Sequence, residues 1–101
     1  MYINIFRHRK VPGFNADAYA ADAARMETLA AVQSGFIAFR RYAAADGEFL
    51  SISEWQTRED AQAWARHPEH LAIQARGRSD YYQSYVVYSC PDTEVRTFEK
   101  P

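Results

Sequence analysis

His67 and His70 stand three residues apart around Pro68 in the stretch "WARHPEHLAIQ" (64–74). Imidazole can ligate a metal, cap a helix or move a proton near neutral pH. Zinc needs three or four protein ligands in fixed geometry. An HxxH pair with only Glu69 between, in a chain with no CxxC and no further Cys/His cluster, falls short, so no metal site is expected. His67 precedes a proline, which fits a helix's first turn but not its interior, so His67 reads as a helix cap. His70 and Gln74 are four apart and share a helix face, turned to a pocket or to water. His70 is the candidate general base.

Asn4 interrupts the strand-like run "YINIFRH" (2–8), with Tyr2 and Phe6 on its face. A buried amide costs free energy unless it is paired, so Asn4 meets a protein group or a ligand. Asn4 or Gln74 is the candidate amide donor to an oxygen of a ligand. Ser51 and Ser53 share the Trp55 face and make that side of a strand partly polar. Trp55 and Trp64 serve as core or as the flat walls an aromatic ligand needs. Phe6, Ser51, Trp55, Trp64 and Tyr82 are the candidate substrate-binding residues, and a tyrosine such as Tyr82 or a bound water is the next candidate for the base. No Ser/His/Asp set, Gly-rich phosphate loop or paired-carboxylate spacing stands out.

The elements that must position these groups can be read in order. Residues 2–8 form a strand ending near Pro12-Gly13. Asn15 caps a helix over "ADAYAADAARMETLAAVQ", with a Phe14–Tyr19 staple, eight alanines between 16 and 31, and Gly35 as its stop. "FIAFRRYAAADGEFLSISEW" is a hairpin around Asp46-Gly47. Thr57, answered by Asp60, caps a second helix that carries Trp64. A further helical piece runs over 68–77 and ends at Gly77. Residues 82–89 read as a strand, Cys90-Pro91-Asp92 as a turn, and 94–98 as a short last strand.

The order β-α-β-β-α-α-β implies an α+β fold: a ferredoxin-like split βαβ antiparallel sheet with helices on one face, in one domain over residues 1–101. Strict alternation sets Ile3 and Ile5 against Tyr2 and Phe6, Ile37 and Phe39 against Phe36 and Tyr42, and Leu50 and Ile52 against Phe49 and Trp55. It also sends alternate members of Tyr81, Tyr82, Tyr85 and Tyr88 to opposite faces. Both faces therefore carry large apolar groups, whereas a sheet with one wet face alternates apolar with polar. Helices cover one face. A second copy of the same sheet is the simplest cover for the other, so a homodimer is expected.

Composition bounds the rest. The chain has 101 residues, 48% hydrophobic and 25% charged, with a formal net charge of −1. That is a globular composition with no general electrostatic attraction to nucleic acid. Arg58, Arg66, Arg76 and Arg78 form either a solvated basic face or a local attractor for an anionic group. The single cysteine, Cys90, forbids an internal disulfide and suits a reducing compartment. "MYINIFRHRK" is neither a signal peptide nor a membrane span, and a cytoplasmic protein is expected.

"PGF" at 12–14, "SGFIAFRRY" at 34–42, Trp55, and "AWARHPEHLAIQARGRSDYYQSYVV" at 63–87 resemble the antibiotic biosynthesis monooxygenase domain family. The resemblance runs through about nine-tenths of the chain, and "W-x2-HPEH-x3-Q-x2-GR" is its most specific part. It implies a dimeric α+β barrel. Some members of that family oxygenate aromatic polyketides with dioxygen and no metal or flavin, and others bind and break haem. Against the oxygenases' Asn, Trp, Tyr and Arg, Trp55 matches the Trp, while Ser51 stands at the Asn position and Gln74 at the Arg position. Against the haem-degrading members, Trp64 matches the helical Trp and Asn4 lies near the first-strand Asn. Ile73 and Gln74 stand where the axial His is expected.

The resemblance thus implies a cofactor-independent monooxygenase using dioxygen on a small electron-rich aromatic: a phenol, a quinol or a polyketide-like ring. The alternatives are a non-catalytic small-molecule-binding dimer and a haem-binding relative.

Overall fold

The computed structural model describes residues 1–101. β1 (Tyr2–Lys10) leads into α1 (Ala16–Ala31). β2 (Phe36–Ala43) and β3 (Phe49–Trp55) form the hairpin. α2 (Arg58–Ala65) and α3 (Pro68–Arg76) follow, and a π-helical turn (Gly77–Tyr81) feeds β4 (Tyr82–Cys90). The sheet order is β2-β3-β1-β4 with every neighbour antiparallel, the ferredoxin-like α+β arrangement. No helix is long and apolar enough to cross a membrane.

Local chemistry starts each helix where the sequence indicates. Asn15 Oδ1 accepts from the Ala18 amide at 3.0 Å, and the Phe14 and Tyr19 rings meet edge to face at 6.0 Å. The Thr57 hydroxyl accepts from the Asp60 amide at 3.1 Å and donates to its carboxylate at 2.9 Å. His67 Nδ1 accepts from the Glu69 amide at 3.2 Å, with Pro68 in the first turn of α3, so His67 is a helix cap. Gly47 turns the hairpin at φ 91°. Gly35 is required twice over. Its φ is 78°, and a Cβ there would lie 1.9 Å from Asp60 Oδ2.

Two bulges correct the simple alternation of faces. Phe36 pairs with Trp55 and Ala38 with Glu54, so Ile37 is an extra residue. Phe39 therefore lies on the same face as Phe36, not opposite it. In β4, Arg9 pairs with Ser84 and Lys10 with Tyr82, so Gln83 is extra. That puts Tyr82 with Tyr85, their rings 6.0 Å apart, and leaves Tyr88 on the far face, bonded to Arg7.

Of two further expectations one holds and one fails. α3 ends at its C-cap Gly77, but without a left-handed turn: Gly77 stays helical at φ −56°, and the chain continues through the π-helical turn. A glycine is needed there because a Cβ would sit 2.4 Å from Tyr82 Cε2. Residues 94–98 form no strand. A strand needs a backbone partner. The tail is tied only near its start, where Thr93 donates to the Met1 and Cys90 carbonyls, and Phe98 is 88% exposed.

The core is thin. Tyr2 and Trp55 from the sheet meet Ala30 of α1 and Ala61 and Trp64 of α2. Only eight of 101 residues are buried, because the helices leave one sheet face open. That face carries Ile3, Ile5, Ile52, Val86 and Tyr88.

Candidate functional site

A cavity of about 620 Å³ lies between the helices and the sheet face bearing Asn4 and Trp55. Twenty of its 30 lining residues are hydrophobic, which suits an apolar ligand fixed by a few polar groups. All eight site residues singled out in the sequence line it. Asn4, Phe6, Ser51 and Trp55 come from the sheet, Trp64, His70 and Gln74 from α2 and α3, and Tyr82 from the start of β4. Of the four arginines noted in the sequence only Arg78 reaches it, while Arg76 is held by Asp22 at 2.8 Å.

His70 and Gln74 finish the end of α2, whose last carbonyls have no partner within the helix. His70 Nδ1 donates to the Trp64 carbonyl at 3.0 Å, and Gln74 Nε2 donates to the Ala65 carbonyl at 3.2 Å. A carbonyl only accepts, so Nδ1 carries a proton and the lone pair of neutral His70 is on Nε2. The ring stacks on Trp64 with centroids 4.3 Å apart. Burial lowers the His70 pKa below its ordinary value. The Trp64 carbonyl opposes the shift and His67 adds to it. His70 is therefore neutral at neutral pH, with Nε2 free of any protein partner.

Asn4 sits between Ser53 on β3 and Ser89 on β4. The Ser89 hydroxyl donates to Asn4 Oδ1 at 3.1 Å, which leaves the amide Nδ2–H group as a donor. Gln74 has one amide hydrogen committed to Ala65 and one left. Trp55 is fully buried, its ring edge-on to Phe36 at 5.6 Å, and its Nε1–H has no partner. It is both core and cavity wall. The Tyr82 phenol is pushed well above its usual range, first by burial and then by Tyr19. It stays protonated at neutral pH and can donate a hydrogen bond into the cavity.

The chemistry at the other end of the cavity was missed in the sequence. His8 lines it, is 5% exposed, and has Nε2 bonded to Lys10 Nζ and Nδ1 bonded to nothing. Its pKa falls to about 4, through burial first and Lys10 second. Lys10 lies 4.1 Å from the ring centroids of both Tyr19 and Phe49. Burial, with Arg41 adding to it, lowers Lys10 to about 8. The available signal was parity. Residues 2, 4, 6, 8 and 10 of one strand share a face, whereas the strand-like run in the sequence stops at His8.

Comparison with known proteins agrees with this geometry. A family model described as "Antibiotic biosynthesis monooxygenase" matches residues 1–76. The chain belongs to the antibiotic biosynthesis monooxygenase family. YqjZ of Bacillus subtilis (strain 168), described as an uncharacterized protein, is 35% identical over 86 residues, covering 85% of this chain and 75% of its own. Two solved structures share the fold at low identity. Rv0793 from Mycobacterium tuberculosis superposes with a TM-score of 0.81 at 18% identity, covering 95% of this chain and 98% of its own. A variant of SnoaB, a cofactor-independent oxygenase from Streptomyces nogalater, superposes with a TM-score of 0.76 at 16% identity, covering 98% of each chain.

Proposed function

We propose that this member of the antibiotic biosynthesis monooxygenase family is a cofactor-independent monooxygenase of an electron-rich aromatic. The observation that carries this is His70. The bond from Nδ1 to the Trp64 carbonyl and the lowered pKa present a neutral, unpartnered Nε2 at an apolar cavity. Family membership and the likeness to SnoaB support the reaction class.

His70 Nε2 takes a proton from an acidic C–H or phenol of the substrate. Asn4 Nδ2 and the free hydrogen of Gln74 donate to the oxyanion that develops. The carbanion gives an electron to dioxygen, and the radical pair joins as a carbon–oxygen bond to a peroxide. The peroxide takes the proton from His70. Loss of the remaining C–H proton then breaks the O–O bond and releases water, leaving a carbonyl. A CH2 group becomes C=O, and the substrate supplies all four electrons, so no reductant enters.

The catalytic unit is a homodimer. Accessible surface is 7005 Å², against roughly 5,800 Å² expected for a compact chain of this mass. Ile3, Ile5, Ile52, Val86 and Tyr88 leave one sheet face without cover, and a second copy supplies it.

Oxygen uptake with an anthrone or hydroquinone, by protein treated with chelator and shown free of flavin, tests the activity. Turnover with one oxygen atom from dioxygen found in the product is expected. Tight binding of such aromatics without any oxygen consumption makes the protein a binder and overturns the reading.

A further inference from the structure

We propose that Arg78 is the specificity residue of the cavity: its guanidinium takes a carboxylate borne by the aromatic ligand at the end away from His70. This rests on the aromatic-ligand reading above and names its substrate class.

His70, Gln74 and Arg78 follow one another at intervals of four residues, and all three line the cavity. Residues four apart on a helix share a face. The helical backbone does not break between them. Gly77 stays helical at φ −56°, and the π-helical turn Gly77–Tyr81 carries straight on from α3. Four residues overshoot one α-helical turn, and the wider π-turn takes back part of that drift. Arg78 thus stays on the side that already presents the imidazole and the amide.

The other charges around the cavity are already committed. Two carboxylates and two guanidiniums line it. Asp22 accepts from Arg76 at 2.8 Å and from the Tyr81 hydroxyl at 2.6 Å. Glu27 accepts from Arg41. The two lining histidines, His8 and His70, are neutral at neutral pH because burial lowers their pKa values. Arg78 belongs to none of the six ion pairs, although Asp80 lies two residues on. It is exposed, so a ligand can reach it. Its three arginine neighbours in the sequence differ from it. Arg76 is held by Asp22, Arg58 lies over the Tyr2 ring at 5.7 Å, and Arg66 is off the cavity. The cavity therefore carries one positive charge with no protein partner, beside a largely apolar space.

A carboxylate is the group that fits this charge. The guanidinium is a planar fork that binds a carboxylate through two parallel hydrogen bonds. An exposed ion pair alone is weak. Here the aromatic body fills the apolar cavity and holds its acid group in place, so the pair forms at little further cost in freedom. From His70 to Arg78 the helical rise is ~12 Å, less the reach of the arginine stem. The class is an aromatic carboxylic acid of two or three fused rings, with the acid group on the ring farthest from the reacting carbon.

The test is calorimetric titration of the intact protein at pH 7 with 2-naphthoate and with its neutral counterpart 2-naphthamide. The carboxylate should bind about five-fold or more tighter than the amide. In Arg78→Gln the ratio should fall near one, while 2-naphthamide affinity changes less than about two-fold because the neutral ligand makes no ion pair. Arg66→Gln removes the same charge from outside the cavity and should keep the wild-type ratio.

Equal binding of the two ligands by wild type, binding of neither, or a preference that survives Arg78→Gln overturns the proposal. So does loss of both affinities in Arg78→Gln, or an Arg66→Gln ratio that falls as far as the Arg78→Gln ratio. No turnover enters these measurements. Carboxylate preference without oxygen uptake sinks the oxygenase reading alone, and oxygen uptake without carboxylate preference sinks the role of Arg78 alone.

Discussion

His70 Nδ1 donates to the Trp64 carbonyl at 3.0 Å while the two rings stack with centroids 4.3 Å apart. One contact thus does two jobs. It ends α2 and it fixes the tautomer that leaves Nε2 basic. Gln74 repeats the first job one residue later, on the Ala65 carbonyl. Variants at these positions must therefore be chosen to keep a donor, or lost helix ends will be mistaken for lost chemistry.

Gly35→Ala should destabilise the fold by about 2–3 kcal/mol. Left-handed backbone costs a Cβ about 1–2 kcal/mol, and pushing Asp60 from its place weakens the Thr57 cap by about 1 kcal/mol. The collision is with the Asp60 side chain itself. The same substitution in an Asp60→Ala background should therefore cost measurably less. Urea midpoints of the four proteins check this, and identical costs in both backgrounds would refute the contact.

Acid should destabilise the protein through His8. Its folded pKa of about 4 lies below the ordinary 6.5, so the unfolded chain binds more protons between those values. The stability from keeping His8 neutral is full above pH 6.5 and is lost as pH falls toward 4, by up to about 3 kcal/mol. Carboxylate pairs such as Arg76–Asp22 add their own acid loss. The diagnostic quantity is therefore the difference between wild type and His8→Phe, measured by urea unfolding at pH 7 and pH 4.5. A pH dependence unchanged by the substitution would contradict a buried neutral His8.

Much of this was legible in the sequence, because caps and turns are local. Asn15, Thr57, His67 and Gly47 each act on neighbours within three residues, and each does what its type suggests. Parity was legible only where strands are regular. An extra residue at Ile37 and another at Gln83 each move every later side chain to the other face, and nothing in the residue types announces a bulge. Gly77 ends α3 as its type suggests, but it is a glycine because Tyr82 approaches closely, a tertiary fact. His8 and Lys10 share the Asn4 face of β1, but the strand-like run of residue types stops at His8, two residues before the strand itself does.

The open sheet face predicts self-association. Sedimentation equilibrium at micromolar concentration should give twice 11.6 kDa. Ile5→Lys, with its partners Ile52 and Tyr88 unchanged, should shift the protein toward monomer while far-UV circular dichroism holds. A wild-type monomer at that concentration would remove the dimer.

The central claim is that His70 is the base, and the pH profile of kcat for wild type and His70→Asn tests it most directly. Asparagine keeps a donor for the Trp64 carbonyl but cannot titrate. Because the His70 pKa is lowered, wild-type kcat should rise with pH on a limb below about 6.5 and be flat above it. His70→Asn should lose the limb and about 10²–10⁴-fold in kcat, with KM changed far less, since proton removal belongs to the transition state. A His70→Asn protein that keeps both wild-type kcat and the acid limb would contradict the assignment.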